Sequence, residues 1–268
     1  MDYRLWPMDF LPSTMNHSVI LEVCANSVAS ALAAQIGGAE RVELCENLHE
    51  GGTTPSHGEI LLARKQLHIK LYVLIRPRSG DFLYTDLEFD TIVADIAFCT
   101  QAGCDGVVIG ILNADGTIDK LRCTKLVQIA KSQGLGVTFH RAIDMCADMY
   151  QALEDIIEIG CERILTSGGK STAMEGAATI AGLIKKAAGR ITIMPGSGVN
   201  KNNVADLVRF TGAVEVHSSA RVRMQSKMNY KNDHIMMGDS PGDEYVFEET
   251  DVGAVKSIIR MANRRTQQ

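Results

Sequence analysis

The sequence predicts an α/β fold, a single-domain (β/α)8 barrel of the TIM type, and three observations carry that reading. Eight short, β-branched apolar runs alternate with longer segments of 3.6-residue periodicity from residue 19 onward. The chain has 268 residues, and one such barrel needs roughly 250. A glycine followed by a small residue stands before every second run, as a repeating pair of strand–helix units requires.

The runs, in order, are Val19–Cys24, Arg41–Cys45, Lys70–Arg76, Gly106–Gly110, Gly136–His140, Arg163–Thr166, Arg190–Met194 and Ala213–His217. The segments between them are amphipathic; before the fourth run, for example, Leu87, Ile92, Ala94, Ile96 and Ala97 fall on one helical face. Strands separated by helices imply right-handed crossovers and a parallel sheet, and eight units point to a closed barrel. Gly38-Ala39, Gly103-Cys104, Gly160-Cys161 and Gly212-Ala213 form the repeat, each glycine suiting the left-handed position that ends a helix. Two segments break the rhythm. Residues 1–18 lack a period and read as an N-terminal extension to the barrel of 19–268. Residues 218–249, rich in Met, Asn, Asp and Gly, read as a long loop over the C-terminal rim or at a subunit contact, ahead of a last helix at Val252–Arg264.

Composition excludes several partners. A net charge of −5 without a basic cluster argues against nucleic acid. No apolar stretch approaches the roughly 18 residues that span a bilayer, and the N-terminus lacks the pattern of a signal peptide, so the expected location is the cytoplasm. Seven cysteines, an odd number without a CxxC pair, predict reduced thiols.

Chemistry concentrates at strand ends. Strand alternation puts Glu22 with Cys24, Glu43 with Cys45, and Glu215 with His217 on the inward face of three strands that become neighbours when the barrel closes. Buried charges need partners, and Arg76 and Arg78, around Pro77, are the expected ones; His140 and Arg141 lie nearby. Such a set is either a buried salt-bridge network or a ligand site, since polar residues at strand C-termini of this fold usually bind or catalyse. Small-residue turns follow the late strands: Ser167-Gly168-Gly169, Gly196-Ser197-Gly198 and Ser218-Ser219. Their backbone N–H groups could hold an anion, although tight turns use glycine in any case. Cys24 and Cys45 would suit a soft ion such as Cu(I).

Longer motifs carry a resemblance. Leu21-Glu22-Val23-Cys24, Gly37-Gly38-Ala39-Glu40-Arg41-Val42-Glu43-Leu44-Cys45, Glu50-Gly51-Gly52-Thr53-Thr54-Pro55-Ser56, the segment from Ile75 to Phe82, Thr138-Phe139-His140-Arg141-Ala142-Ile143-Asp144, Arg163–Gly169 and Met194–Gly198 together resemble the CutC copper homeostasis proteins. The family more often has glycine where Ser197 stands. The resemblance implies a TIM-type barrel, a cytoplasmic location, a dimer or higher homo-oligomer, and Cu(I) assigned to the cysteines matching Cys24 and Cys45. Two functions follow. One is copper homeostasis, with Cu(I) on Cys24, Cys45 and, as a third ligand, His217. The other is an enzyme acting on a small carboxylate or phosphate, held by Arg76, Arg78 and the 167–169 and 196–198 turns, with Glu22, Glu43, His140 or Asp144 moving protons.

Overall fold

Eight parallel strands build the inner wall: β1 (Ile20–Ala25), β2 (Arg41–Leu44), β3 (Lys70–Leu74), β4 (Gly106–Ile109), β5 (Gly136–Phe139), β6 (Arg163–Thr166), β7 (Thr192–Pro195) and β8 (Glu215–Ser218). The computed structural model describes residues 18–264 apart from 233, 236 and 238–243. The strands are hydrogen-bonded in the order β7-β6-β5-β4-β3-β2-β1-β8. Beyond the rim, the Ser218 hydroxyl donates to the Val199 carbonyl at 2.6 Å, which ties the ends of β8 and β7 together. The result is a barrel ringed by α1 (Val28–Gly37), α2 (His57–Gln66), α3 (Asp86–Ala102), α4 (Lys120–Ser132), α5 (Met149–Ile159), α6 (Ala177–Ala187), α7 (Val204–Thr211) and α8 (Val252–Ala262).

Local chemistry sets these boundaries. Ser27, Ser56, Asp119, Asp148 and Asp251 cap helix N-termini with side-chain oxygens, and Thr85 with Glu88 forms a reciprocal capping box on α3. The repeated glycines Gly38, Gly103, Gly160 and Gly212 all end helices in the left-handed region, as their spacing predicts.

Alternation splits the core in two. Leu21, Val23, Val42 and Leu44 face outward and are sealed under the helices, each burial contributing about 2 kcal/mol. Cys24, Cys45, Tyr72, Leu74 and Val108 form a second cluster inside the barrel. The Tyr72 ring fits there because β4 and β5 open with glycine: a Cβ on Gly106 would lie 2.3 Å from it.

Two expectations need correction. The hydrogen-bonded strand β3 stops short of Arg76, whose N–H donates instead to the Thr54 hydroxyl at 2.9 Å, and β5 ends at Phe139, although the His140 N–H still donates to the Ile109 carbonyl of β4 at 2.9 Å. The segment 218–249 is not simply a loop. It contains β9 (Arg221–Gln225), antiparallel to β10 (Val246–Thr250), with Met224 opposite Phe247. This hairpin is rooted on the barrel by the Thr250 hydroxyl on the Ser219 carbonyl and by the Asn26 amide on the Glu248 carbonyl, both at 3.0 Å. Residues 1–17 of the expected extension lie outside the described residues. Among the described residues, no helix is long and apolar enough to cross a membrane.

Candidate functional site

Charge enters the barrel from its floor. Arg41 opens β2 and Arg163 opens β6, and both point inward by the same alternation that turns Glu22 and Glu215 inward. The Arg41 guanidinium bonds both Glu22 and Glu215, while Arg163 Nε reaches Glu215 Oε2 at 2.6 Å. These two arginines are the partners of the inward carboxylates; Arg76 and Arg78 are not. Burial alone would raise the Glu22 pKa, but the charge of Arg41 and the hydrogen bond from His217 outweigh it, holding the carboxyl at about 2. Glu22 is therefore a fixed anion beneath the site.

Above it stands His217. Its Nδ1 lies 2.8 Å from Glu22 Oε1, which leaves Nε2 3.7 Å from Glu43 Oε2. Burial pulls the His217 pKa down, yet hydrogen bonds with Cys24 and Glu22 and the charge of Glu43 push it well above its ordinary value. Burial pushes the Glu43 carboxyl up, with the His217 charge opposing. Cys24 Sγ sits 3.4 Å from Cys45 Sγ, and that contact together with burial raises the Cys24 thiol well above its usual range. Cys45 in turn touches the Ala25 carbonyl at 3.6 Å and is fully buried. The imidazolium is thus a proton donor flanked by a carboxyl and a protonated thiol.

The opposite wall is built from β3 and β5. Arg76 is 5 % exposed, with Nη1 donating to the carbonyls of Glu50 (2.8 Å) and Gly52 (2.6 Å) and Nη2 to that of Gly80 (2.8 Å). Its guanidinium lies 5.1 Å from the centroid of Phe82. His140 is equally buried, and its Nδ1 accepts from the Ala142 N–H at 3.1 Å. Both walls, with Ser197, Gly198 and Ser219, enclose a cleft of about 350 Å³ at the C-terminal ends of the strands.

Of the residues singled out in the sequence, Cys24, Glu43, Arg76, His140, Arg141, Ser197, Gly198, His217, Ser218 and Ser219 border this cleft, with Glu22 and Cys45 directly behind it. Arg78 faces away: it bonds Asp81 and Glu88 at 3.0 and 2.5 Å and stacks near Tyr84. The turn of Ser167, Gly168 and Gly169 is already occupied. The Ser167 and Gly169 N–H groups both donate to the Asp144 carboxylate at about 3.0 Å, and the Gly168 N–H donates to the Thr166 hydroxyl. Asp144 is therefore a latch on that turn, engaged also by Arg141, and does not border the cleft. The Gly196 N–H is taken by the Thr166 carbonyl. Ser197 adopts φ +77, a left-handed conformation that explains why glycine suits the position. Its hydroxyl donates to the Ser171 carbonyl at 2.8 Å, holding the turn in place.

Arg41, Arg163 and Phe82 were not assigned roles from the sequence. The signal for the two arginines was present, because Arg41 shares parity with Glu43, and Arg163 with Leu165. Nothing along the chain marks Phe82 as the residue that lies over Arg76 and His140.

The CutC family profile matches residues 19–222. The chain belongs to the CutC family. Among curated CutC family proteins, one from Bacteroides thetaiotaomicron is 53 % identical over 240 residues, covering 89 % of this chain and 94 % of its own length. Another, from Chromobacterium violaceum, is 50 % identical over 239 residues, covering 89 % and 96 %. A solved CutC structure from Streptococcus agalactiae superposes with a TM-score of 0.71 at 34 % identity, covering 75 % of this chain and 98 % of that one. The CutC match spans β1 to β8 and thus every residue that borders the cleft.

Proposed function

We propose that the cleft is the active site of an enzyme for a small organic anion, in which His217, backed by Glu22, and Glu43 exchange protons with the substrate. One observation carries this reading. A carboxylate–imidazole pair, Glu22 to His217 at 2.8 Å, directs the free ring nitrogen toward a second, buried carboxyl whose own pKa is raised. Pairs of titratable groups whose environments shift them apart are the pattern of acid–base sites. No lysine borders the cleft among the described residues, so a Schiff-base route finds no amine there.

A second reading, Cu(I) homeostasis, rests on the thiol pair. Cys24 Sγ and Cys45 Sγ, 3.4 Å apart, could each reach one ion at about 2.3 Å, and Cys24, Glu43 and His217 offer ligand atoms within 4.8 Å of one another. The two thiols fit a soft ion, whereas the Glu43 carboxylate does not. Both thiols must lose protons to bind it, however, and the raised Cys24 pKa opposes that.

One experiment separates the two. Thermal shift with carboxylates, phosphates and Cu(I) is run on the wild type, Glu43→Gln and the Cys24→Ser/Cys45→Ser double variant. The enzyme reading expects an organic anion to raise Tm in the wild type and the double variant. It also expects Glu43→Gln to bind that anion but lose hydrogen exchange between the bound molecule and D2O. If only Cu(I) raises Tm, and only while both thiols are present, the copper reading replaces it.

A further inference from the structure

Two buried nitrogen donors in the cleft have no partner among the described residues: Arg76 Nε and His140 Nε2. The three backbone carbonyls on Arg76 Nη1 and Nη2 satisfy hydrogen bonds but supply no counter-charge, and no carboxylate pairs with Arg76 among the described residues. A guanidinium 5 % exposed and without an anion is costly unless a ligand provides one. At His140 the Ala142 N–H occupies Nδ1 as its acceptor, so the single proton of the neutral ring sits on Nε2. Burial and the nearby Arg76 charge keep that ring neutral, with a pKa lowered to about 3. The ring is also fixed in place. A Cβ on Gly110 would lie 2.5 Å from His140 Cε1, and the Phe82 ring lies 4.9 Å from the imidazole centroid.

We propose that Arg76 and His140 form a two-point anchor for an α-keto carboxylate, the guanidinium taking the carboxylate and the imidazole N–H taking the adjacent carbonyl oxygen. The charge balance selects this class over phosphate. Arg76, beside a neutral donor, is the lining cation without a carboxylate partner among the described residues, since His217, Arg141 and Arg221 pair with Glu22, Asp144 and Glu248, and Glu43 lines the facing side. A phosphate dianion would meet that carboxylate face with only one cation free of a carboxylate partner to hold it. A carboxylate brings one negative charge, and its neighbouring carbonyl is an acceptor that needs no cation. The volume of about 350 Å³ admits a molecule of about a dozen water-sized groups, with room for a substituent beyond the anchored head.

This inference rests on the proton-transfer reading for its chemical consequence. When Glu43, as carboxylate, removes the proton on the carbon next to the carbonyl, the C–H pair becomes a C=C bond. The carbonyl π pair moves to oxygen, and the resulting enolate oxygen accepts the His140 N–H. Returning the proton from the Glu43 carboxyl closes the cycle without a redox partner. A neutral imidazole suits this role, because it stabilises the developing charge without first binding a free anion of its own.

The test uses pyruvate, acetate and inorganic phosphate as probes, with affinity read by isothermal titration on the full chain. Pyruvate is expected to bind about tenfold tighter than acetate, the effect of one additional hydrogen bond, and phosphate more weakly than pyruvate. His140→Phe keeps the ring volume and removes the donor; it is expected to bring pyruvate down to the acetate level while acetate stays unchanged. Arg76→Met is expected to weaken both carboxylates at least tenfold. The anchor is overturned if none of the probes binds, if phosphate matches pyruvate, or if His140→Phe lowers acetate and pyruvate equally. Deuterium incorporation into the pyruvate methyl group reads the proposed function separately. Binding without exchange would sink the proton-transfer reading and leave the anchor standing.

Discussion

His140 shows how one side chain can make the whole fold sensitive to pH. In the unfolded chain an imidazole titrates near 6.5, whereas burial and then the Arg76 charge lower it to about 3 here. Between those values the unfolded state binds a proton that the folded state refuses, so stability falls as pH drops through that window, by up to about 1.4 kcal/mol per unit. His217 adds only a small slope of the opposite sign just below 6.5, because its raised pKa keeps it protonated when folded and the unfolded imidazole soon charges as well. Glu43 acts in the opposite direction, its raised pKa giving stability that is lost as pH rises, so the comparison must be made against a variant. Urea unfolding at pH 6.5 and pH 5.0 should show the wild type losing about 2 kcal/mol more than His140→Gln. Equal losses would mean that the ring is charged in the native state.

At the scale of elements, the turn after β6 depends on a side chain from the turn after β5. Asp144 accepts from the Ser167 and Gly169 N–H groups, the Ser167 hydroxyl at 2.9 Å, the Thr166 hydroxyl at 2.5 Å and Arg141 Nε at 2.9 Å. A glycine turn that resembles an anion site is here filled by the protein's own carboxylate. Removing it in Asp144→Ala leaves two backbone donors and an arginine without their acceptor, and should cost about 3 kcal/mol. The check is a lowered urea midpoint with pyruvate affinity at Arg76 little changed. A loss of affinity at unchanged stability would return Asp144 to the site. The sequence showed the glycines and Asp144 in separate motifs, but 23 residues separate Asp144 from Ser167, and no local pattern pairs them.

Across the whole molecule, four charges run through the barrel interior in alternating ion pairs, Arg163 to Glu215, Glu215 to Arg41 and Arg41 to Glu22, joining β6, β8, β2 and β1. The chain couples floor and site, since Glu22 holds His217 as well as Arg41. Arg41→Met should therefore destabilise by about 3–5 kcal/mol, because it strands buried carboxylates that cannot reach water. Adding Glu22→Gln to it should recover part of that loss. Differential scanning calorimetry of the single and double variants measures both, and strict additivity would show that the two residues act apart.

The sequence by itself determined the periodicities, and through them the eight strands, the eight helices, the inward parity of Glu22, Cys24, Glu43, Cys45, Glu215 and His217, and the end of the barrel where Cys24, Glu43 and His217 gather. Those properties are local: they follow from side-chain alternation along one strand and from caps within one turn. Tertiary structure alone decided the partners. Arg41 reaches Glu215 across 174 residues, His217 reaches Glu22 across 195, and Arg76 rests on carbonyls rather than carboxylates. Charge pairing depends on distance in space and on the water each group has lost, and both are settled only when the barrel closes. The same closure leaves Arg76 Nε and His140 Nε2 buried without a hydrogen-bond partner among the described residues.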